Sequence, residues 1–294
     1  MSLVELDALL AVMAANPPPQ GGPLELRDWF NVAHAALPVP EGLEIRRVEA
    51  GPVGGDLILP ADAVPGRLII YYHGGGFVLG SARTHRTVAA NLARAANIAV
   101  LAADYRLAPE HAFPAAHDDA LSAFHWALAE GYEAIALSGD SAGGNLALST
   151  AVRARNGGGQ SPAALALMSP ALDFAGDGGT HHSVSDDPIL SKELVDLFLS
   201  AYLPGQSLRD PAVTPLFAEL SGLPPVLVHV GSREMLRDDS VTIARRLRDA
   251  GVQAELRVWD GMCHSWQLYA PLVREGLDSI EEVASFLRGH LVAS

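Results

Sequence analysis

The strongest constraint on the fold of this chain is the alternation, from Arg67 onward, of short apolar segments with longer helix-forming segments. The longer segments between the apolar ones are predicted to be helices. Strands that are apolar along their whole length are buried on both faces, so this order predicts an α/β protein with a parallel sheet between two layers of helices. The predicted strands are residues 67–72, 98–102, 134–137, 163–168, 225–230 and 254–259.

Two regions stand outside this alternation. Apolar residues at helical spacing cover residues 3–15 and 25–37. Residues 173–210, approximately, begin with a stretch rich in Gly, Asp and His and then contain a helix. An insertion after a strand either covers an active site or is an ordinary long connection. We predict an N-terminal helical cap segment at residues 1–42 and a main domain at residues 43–294, with a cap or lid insertion at about 173–210.

The charge of the chain argues against several kinds of partner. Its 294 residues include 20 Lys and Arg and 34 Asp and Glu, a net charge of −14 that repels nucleic acid and anionic membranes. Residues 1–15 contain no Lys or Arg, and their longest apolar run is far below the ~20 residues that span a bilayer. We expect no membrane anchor and a cytoplasmic location. Cys263 is the only cysteine and no HExxH pattern occurs, so we expect no metal site.

The segment Gly139-Asp140-Ser141-Ala142-Gly143 fits the G-x-S-x-G pattern of a nucleophilic serine. An apolar strand leads into it and an Ala-rich and Leu-rich helix leads out of it. A turn this short strains the serine backbone and leaves no room for side chains at the two glycines. We predict Ser141 as the nucleophile. Asp140 either tunes the site or caps the following helix, and we prefer the cap.

A second motif, His73-Gly74-Gly75-Gly76, follows the strand at residues 67–72. Consecutive glycines allow backbone N–H groups to face a ligand, as in the oxyanion loops of lipases and esterases. We predict that Gly75, Gly76 and Ala142 donate to the oxyanion, with Gly74 as a possible donor. His73 is interpreted as a residue that organises the loop.

The chain contains eleven histidines, and the Ser, acid, His order of this kind of triad leaves those after Ser141 as candidate bases. His264 follows the last predicted strand and a tight turn, and we predict it as the base. His229 lies within a strand and His290 within the last helix. The pair His181 and His182 lies in the insertion, where a solvated loop is the simpler interpretation.

The acid is expected in the loop after the strand at residues 225–230. Glu234 stands just after the end of that strand. Asp238 and Asp239 begin the next helix, where carboxylates are ordinary capping residues. We prefer Glu234, with Asp238 as the alternative.

Five stretches occur in order along the chain: YYHGGGFVLGS, ADYRLAPEHAFPAAHDDA, GDSAGGNLA, VHVGSREMLRDDS and VWDGMCHSW. Together they resemble the bacterial hormone-sensitive-lipase-like esterases of the α/β-hydrolase fold. The resemblance implies a mostly parallel eight-stranded sheet with helices on both faces and a helical cap. It also implies hydrolysis of short- to medium-chain carboxylic esters without a cofactor, and a homodimer through the last strand, residues 254–259. Arg106 and Glu110 are interpreted as loop anchors. Many members have Asp-Pro-Leu where this chain has Glu234-Met235-Leu236, although a subset uses Glu.

The residues near the motifs are mostly apolar, which favours a neutral, apolar acyl group, and no Lys or Arg is obviously placed to bind a substrate anion. We therefore predict a serine carboxylesterase that acts on a small-molecule ester. The alternatives are a hydrolase of lactones, amides or acetylated small molecules with the same triad, and a non-enzymatic small-molecule receptor. The predicted substrate-binding residues are Phe77, Trp266, Trp29, Phe198 and Leu203, and the alternative for the last three is that they form the core of the cap.

Overall fold

The computed structural model of the chain describes residues 3–176 and 187–292. The helices in these ranges are α1 (Val4–Ala15), α2 (Pro23–His34), α3 (Arg86–Ala96), α4 (Ala115–Ala129), α5 (Ala142–Asn156), α6 (Lys192–Tyr202), α7 (Arg237–Asp249) and α8 (Arg274–Val292). The strands are β1 (Leu43–Ala50), β2 (Val53–Pro60), β3 (Arg67–Tyr72), β4 (Ala99–Asp104), β5 (Ala134–Asp140), β6 (Leu165–Met168), β7 (Val226–Gly231) and β8 (Ala254–Trp259).

The described strands form one eight-stranded sheet in the order β1-β2-β4-β3-β5-β6-β7-β8. The pairs β1–β2 and β2–β4 are antiparallel, and every pair from β4–β3 to β7–β8 is parallel. Tyr72 at the end of β3 lies opposite Gly139, and Met168 at the end of β6 lies opposite His229. The loops that carry the sequence motifs therefore leave the sheet at the same edge. The predicted mostly parallel sheet is confirmed.

Helices cover both faces of the sheet, and the central strands are accordingly buried and mostly apolar. Strand β3 alternates its side chains between two separate cores, one containing Leu68 and Ile70 and the other Ile69 and Tyr71. The first core is closed by α4, α5 and α7, and the second by α3 and α8. Burial of both faces is the physical reason why β3 reads as a continuous apolar run.

Three helices, α1, α2 and α6, lie over the motif-bearing edge of the sheet, and we call them the cap helices. Arg27 of α2 attaches the first part of the chain to the loops below it. Its guanidinium donates to the carbonyls of Val78 and Ala108 at 2.7 and 2.5 Å, and to the Glu110 carboxylate at 2.7 and 2.8 Å. Glu110 therefore anchors a loop, as predicted, and Arg106 does so through a bidentate pair with Asp119.

None of the helices in the described ranges has both the length and the apolar character that a membrane crossing requires. The predicted insertion at 173–210 is described only in part, and His181 and His182 lie outside the described residues.

Candidate active site

Ser141 occupies the turn between β5 and α5. Its φ and ψ of 52° and −119° are a strained backbone conformation for a residue with a side chain. A Cβ on Gly139 would lie 2.5 Å from the backbone of Gly143, and a Cβ on Gly143 would lie 1.9 Å from the Tyr72 carbonyl oxygen. The tight strand-to-helix turn and the steric need for both glycines are thus as the sequence predicted. The turn holds Ser141 at the N-terminus of α5, where helix dipoles favour negative charge.

The glycine loop after β3 lies beside this turn. Gly75 and Gly76 have φ of 110° and 62°, which bulkier residues rarely adopt, and both line a cavity together with Ser141 and Ala142. The N–H of Gly74 instead donates to Asp140 Oδ1 at 2.9 Å. The geometry therefore leaves Gly75, Gly76 and Ala142 as the candidate donors at the cavity and directs the Gly74 amide away from that role.

Asp140 does not cap α5, and that interpretation was wrong. Its Oδ1 atom accepts hydrogen bonds from the Tyr71 hydroxyl at 2.6 Å and from the Gly74 N–H, and lies 3.7 Å from His85 Nε2. Burial works against the charge of this carboxylate, but His85 and Tyr71 outweigh it and lower the pKa of Asp140 below its usual value. Asp140 thus ties the glycine loop to the end of β5.

His73 organises the same loop through hydrogen bonds and ring stacking. Its Nδ1 donates to the Gly74 carbonyl at 2.8 Å, its ring stacks on Tyr105 at 4.2 Å, and the Tyr105 hydroxyl donates to the His73 carbonyl at 2.7 Å. Burial and the neighbouring His85 lower the pKa of His73 to about 4. The ring is therefore neutral at pH 7, as suits a structural residue.

Glu234 and His264 form a buried hydrogen-bonded pair. Glu234 Oε2 accepts from His264 Nδ1 at 2.8 Å, and Glu234 Oε1 accepts from the Gly231 N–H at 2.5 Å and from Ser169 Oγ at 2.8 Å. Asp238 lies elsewhere, with a carboxylate oxygen 3.6 Å from Arg237 Nε. Of the two acids considered from the sequence, Glu234 is the one that the structure places on the imidazole.

Burial and the hydrogen bond between the two side chains shift the pKa values of both Glu234 and His264. Burial disfavours the imidazolium, but the hydrogen bond and negative charge of Glu234 outweigh that effect and raise the pKa of His264 above its usual value. Burial likewise raises the pKa of Glu234, although three groups donate hydrogen bonds to it. The pair therefore holds a proton at His264 Nδ1 and turns Nε2 toward the cavity, where it lies 3.4 Å from the Ser265 hydroxyl.

Ser169 is a supporting residue that the sequence analysis missed. It follows β6, between the strands that carry Ser141 and Glu234, and its φ is 45°. Its hydroxyl donates to Glu234 and accepts from the Ser265 N–H at 3.2 Å. A serine directly after a strand, at the edge where the other motifs meet, was the available signal.

The cavity above Ser141 has a volume of about 1000 Å³ and is mainly apolar. Phe77, Trp29 and Phe198 line it, together with residues of α1, α2 and α6. Trp266 does not line it, which corrects the prediction that Trp266 binds substrate. Its ring packs on Trp259 at 5.8 Å, and its Nε1 donates to the Glu275 carbonyl at 3.1 Å in the core that α3 and α8 close. Leu203 is also outside the cavity, because the chain turns into the core at the end of α6.

No Lys or Arg was obviously placed to bind a substrate anion from the sequence alone, but two of the described ones reach the cavity. Lys192 and Arg233 both line the cavity. Neither stands next to a predicted nucleophile or glycine motif, and only the folding of α6 and of the loop after β7 brings them to the wall.

The other candidate residues have structural environments. His229 Nδ1 lies 2.9 Å from Ser279 Oγ, and burial lowers the pKa of His229 to about 3, so it is a core histidine. His290 packs against Phe286 on α8. Burial raises the pKa of Cys263 to about 12, which fits an inert packing residue. Within residues 3–176 and 187–292, no group of three or more His, Cys, Asp or Glu side chains is arranged to hold a metal ion.

A family profile described as the alpha/beta hydrolase fold matches residues 69–268. The chain belongs to this family. It is 36% identical over 296 residues to an acetyl-hydrolase of Streptomyces hygroscopicus, covering 98% of this chain and 97% of that protein. It is 35% identical over 272 residues to an esterase of Acinetobacter venetianus, covering 90% and 88% of the two chains.

Among solved structures, an esterase from the bacterial hormone-sensitive lipase family superposes with a TM-score of 0.94 at 37% identity, over 99% of each chain. The resemblance to hormone-sensitive-lipase-like esterases is confirmed. The protein is a carboxylic ester hydrolase.

Proposed function

We propose that this esterase hydrolyses short- to medium-chain carboxylic esters through an acyl-enzyme on Ser141. His264 Nε2 takes the Ser141 hydroxyl proton while Oγ attacks the ester carbonyl, and the N–H groups of Gly75, Gly76 and Ala142 bind the resulting oxyanion. The imidazolium then gives its proton to the leaving alcohol. A water molecule, activated by the same imidazole, attacks the acyl-enzyme and releases the acid.

The observation that carries this proposal is the hydrogen bond of 2.8 Å between Glu234 and His264, at the wall of the cavity that Ser141 also lines. The carboxylate fixes the Nδ1–H tautomer, so Nε2 is the nitrogen that carries the lone pair. It also stabilises the imidazolium formed during attack. We infer that the Ser141 hydroxyl hydrogen-bonds to Nε2 once substrate is bound, since catalytic hydrogen bonds often tighten only in that complex.

Substrate size follows from the cavity. A mainly apolar space of about 1000 Å³ holds an acyl chain and an alcohol of moderate size. Phe198 of α6 closes the cavity beside the oxyanion donors, since a Cβ on Gly76 would lie 2.2 Å from its ring. This wall favours acyl groups of limited bulk next to the scissile carbonyl.

The direct test replaces Ser141 with alanine and assays p-nitrophenyl butyrate. We expect a fall in kcat of about 10⁴-fold or more, because removal of a triad member leaves only binding and oxyanion stabilisation. Ser149→Ala, on the helix that follows Ser141, is the matched control and should keep its activity. Near-normal turnover by Ser141→Ala, with circular dichroism unchanged, refutes the proposed nucleophile.

A panel of esters, lactones and anilides then separates the hydrolase classes by kcat/KM. The Streptomyces relative is named an acetyl-hydrolase, so acetyl esters belong in that panel. We also propose a homodimer through β8. It is the last strand of the described sheet, and the Val258 side chain on it is 48% exposed.

A further inference from the structure

The cavity wall next to His264 carries an arginine that the proposed mechanism does not use. Arg233 directly precedes Glu234, is partly buried, and lines the cavity together with Ser141 and His264. Its backbone N–H donates to the Met262 carbonyl at 3.0 Å, which fixes the Arg233 backbone against the loop that carries His264.

Arg233 differs in its ion pairing from Lys192, the other basic residue described at the cavity. Lys192 is held by Asp196 of its own helix. For Arg233, the structure shows no side-chain hydrogen bond or ion pair anywhere in residues 3–176 and 187–292. By contrast, Arg27 and Arg106 each hold a carboxylate through two nitrogen atoms. A guanidinium without a protein partner, on a residue that lines a mainly apolar cavity, keeps donors that a ligand can satisfy.

Five of the described residues that line the cavity are aspartates, and three of them are engaged by local donors. Asp140 accepts from Gly74 and Tyr71, Asp196 holds Lys192, and Asp239 accepts from two backbone N–H groups at 2.8 Å. These negative charges are engaged by local donors. Asp7 and Asp173 also line the cavity, on α1 and after β6.

We propose that Arg233 forms an anion subsite, and that preferred substrates are esters that carry a second, free carboxylate group. This rests on the proposed function, because it sets the scissile ester at Ser141 and the free carboxylate at Arg233. The planar guanidinium matches a carboxylate through two parallel hydrogen bonds. The reaction remains hydrolysis of the ester, and the bound carboxylate is unchanged by it.

Matched substrates that differ only in charge test the proposal on both sides of the ester bond. On the acyl side, monomethyl adipate is compared with methyl hexanoate. On the alcohol side, 4-acetoxybutyrate is compared with butyl acetate. A pH-stat measures kcat and KM for each ester. Within a pair, the ratio, kcat/KM of the charged ester divided by kcat/KM of the uncharged ester, isolates the contribution of the charge.

The variants are Arg233→Met and, as a control of equal charge change, Arg237→Met, whose residue lies outside the cavity. For one of the two pairs, we expect Arg233→Met to lower the ratio about tenfold through KM, the size of one charge-assisted hydrogen bond. Arg233→Lys should restore part of the ratio, and Arg237→Met should leave it within about twofold.

An unchanged ratio for both pairs in Arg233→Met overturns the anion subsite. Turnover of the uncharged esters reports separately on the proposed function and on correct folding. If Arg233→Met loses that turnover, the wild-type enzyme decides the question. Its ratio should fall as salt rises from about 0.01 to 1 M, since screening weakens the ion pair, and a salt-independent ratio overturns the proposal.

Discussion

The Glu234–His264 hydrogen bond gives the sharpest prediction about the reaction centre. We consider Glu234→Gln, which keeps the length of the side chain and removes its charge. The amide oxygen can still accept from Gly231 and Ser169, so the local structure is retained. The amide nitrogen then faces His264 Nδ1. Because that nitrogen can only donate, the imidazole must carry its proton on Nε2, where it blocks attack by Ser141.

Two contributions set the magnitude. The lost hydrogen bond has one charged partner and is worth about 1.5–3 kcal/mol, or roughly 10- to 150-fold in rate. The wrong tautomer adds to this, and in a serine-protease triad the equivalent amide substitution lowers kcat about 10⁴-fold. We therefore expect kcat to fall between about 10²-fold and 10⁴-fold in Glu234→Gln.

The pH profile gives an independent check. Catalysis requires neutral His264, so activity rises as pH increases through its pKa. Glu234 raises that pKa in the wild-type enzyme, which puts the midpoint of the rise above the ordinary histidine value of 6.5. Removal of the carboxylate leaves burial to lower the pKa, so the midpoint should move to lower pH while the plateau falls.

The assay is kcat/KM for p-nitrophenyl butyrate between about pH 5 and 9, with the histidine range in the middle. Asp238→Asn is the matched control, because it removes the charge of the competing candidate acid. We expect its plateau and midpoint to stay close to wild type. A Glu234→Gln enzyme with a plateau within a few-fold of wild type and an unmoved midpoint, or a larger effect of Asp238→Asn, refutes the assignment.

Two further predictions concern the glycine loop and the assembly. Asp140→Ala should lower the free energy of unfolding by about 2–6 kcal/mol in urea titrations, since it leaves the Gly74 N–H and the Tyr71 hydroxyl buried without an acceptor. Asp140→Asn keeps the acceptor oxygen and should lose much less, and equal stability of the two variants would contradict this account. Pairing through β8 predicts a sedimenting mass of twice 30.9 kDa, whereas a single chain of 30.9 kDa at micromolar concentration argues against the dimer.

The sequence predicted the sheet because β3, β5 and β7 are buried on both faces and therefore mostly apolar along their length. It predicted the turn at Ser141 because the glycines around it have steric causes that do not depend on distant residues. The Glu234 preference had a similar local basis, since Glu234 follows the end of β7 while Asp238 begins a helix. Such features are encoded within a few residues of where they act.

The features that the sequence did not predict depend on contacts between distant segments. Asp140 has the position of a helix cap, but the Gly74 amide and the Tyr71 hydroxyl reach it from another strand. Trp266 is only two residues from His264, yet the chain turns down into the core between them. Arg233 reaches the cavity only because its loop is folded against Met262. Proximity in sequence was therefore a poor guide to which side chains face the cavity.

The contacts of Arg27 have a consequence for attempts to exchange substrate preference between related enzymes. The Arg27 guanidinium donates a hydrogen bond to the Val78 carbonyl, two residues beyond Gly76, and the helix that carries Arg27 lines the cavity. A chimera whose first segment comes from a relative without an arginine here would lose the hydrogen bond to the Val78 carbonyl, close to the amide donors. It would also leave Glu110 without its counter-ion. Selectivity and turnover are therefore not separable modules in this scaffold, and a successful graft must transfer the arginine and its three acceptors together.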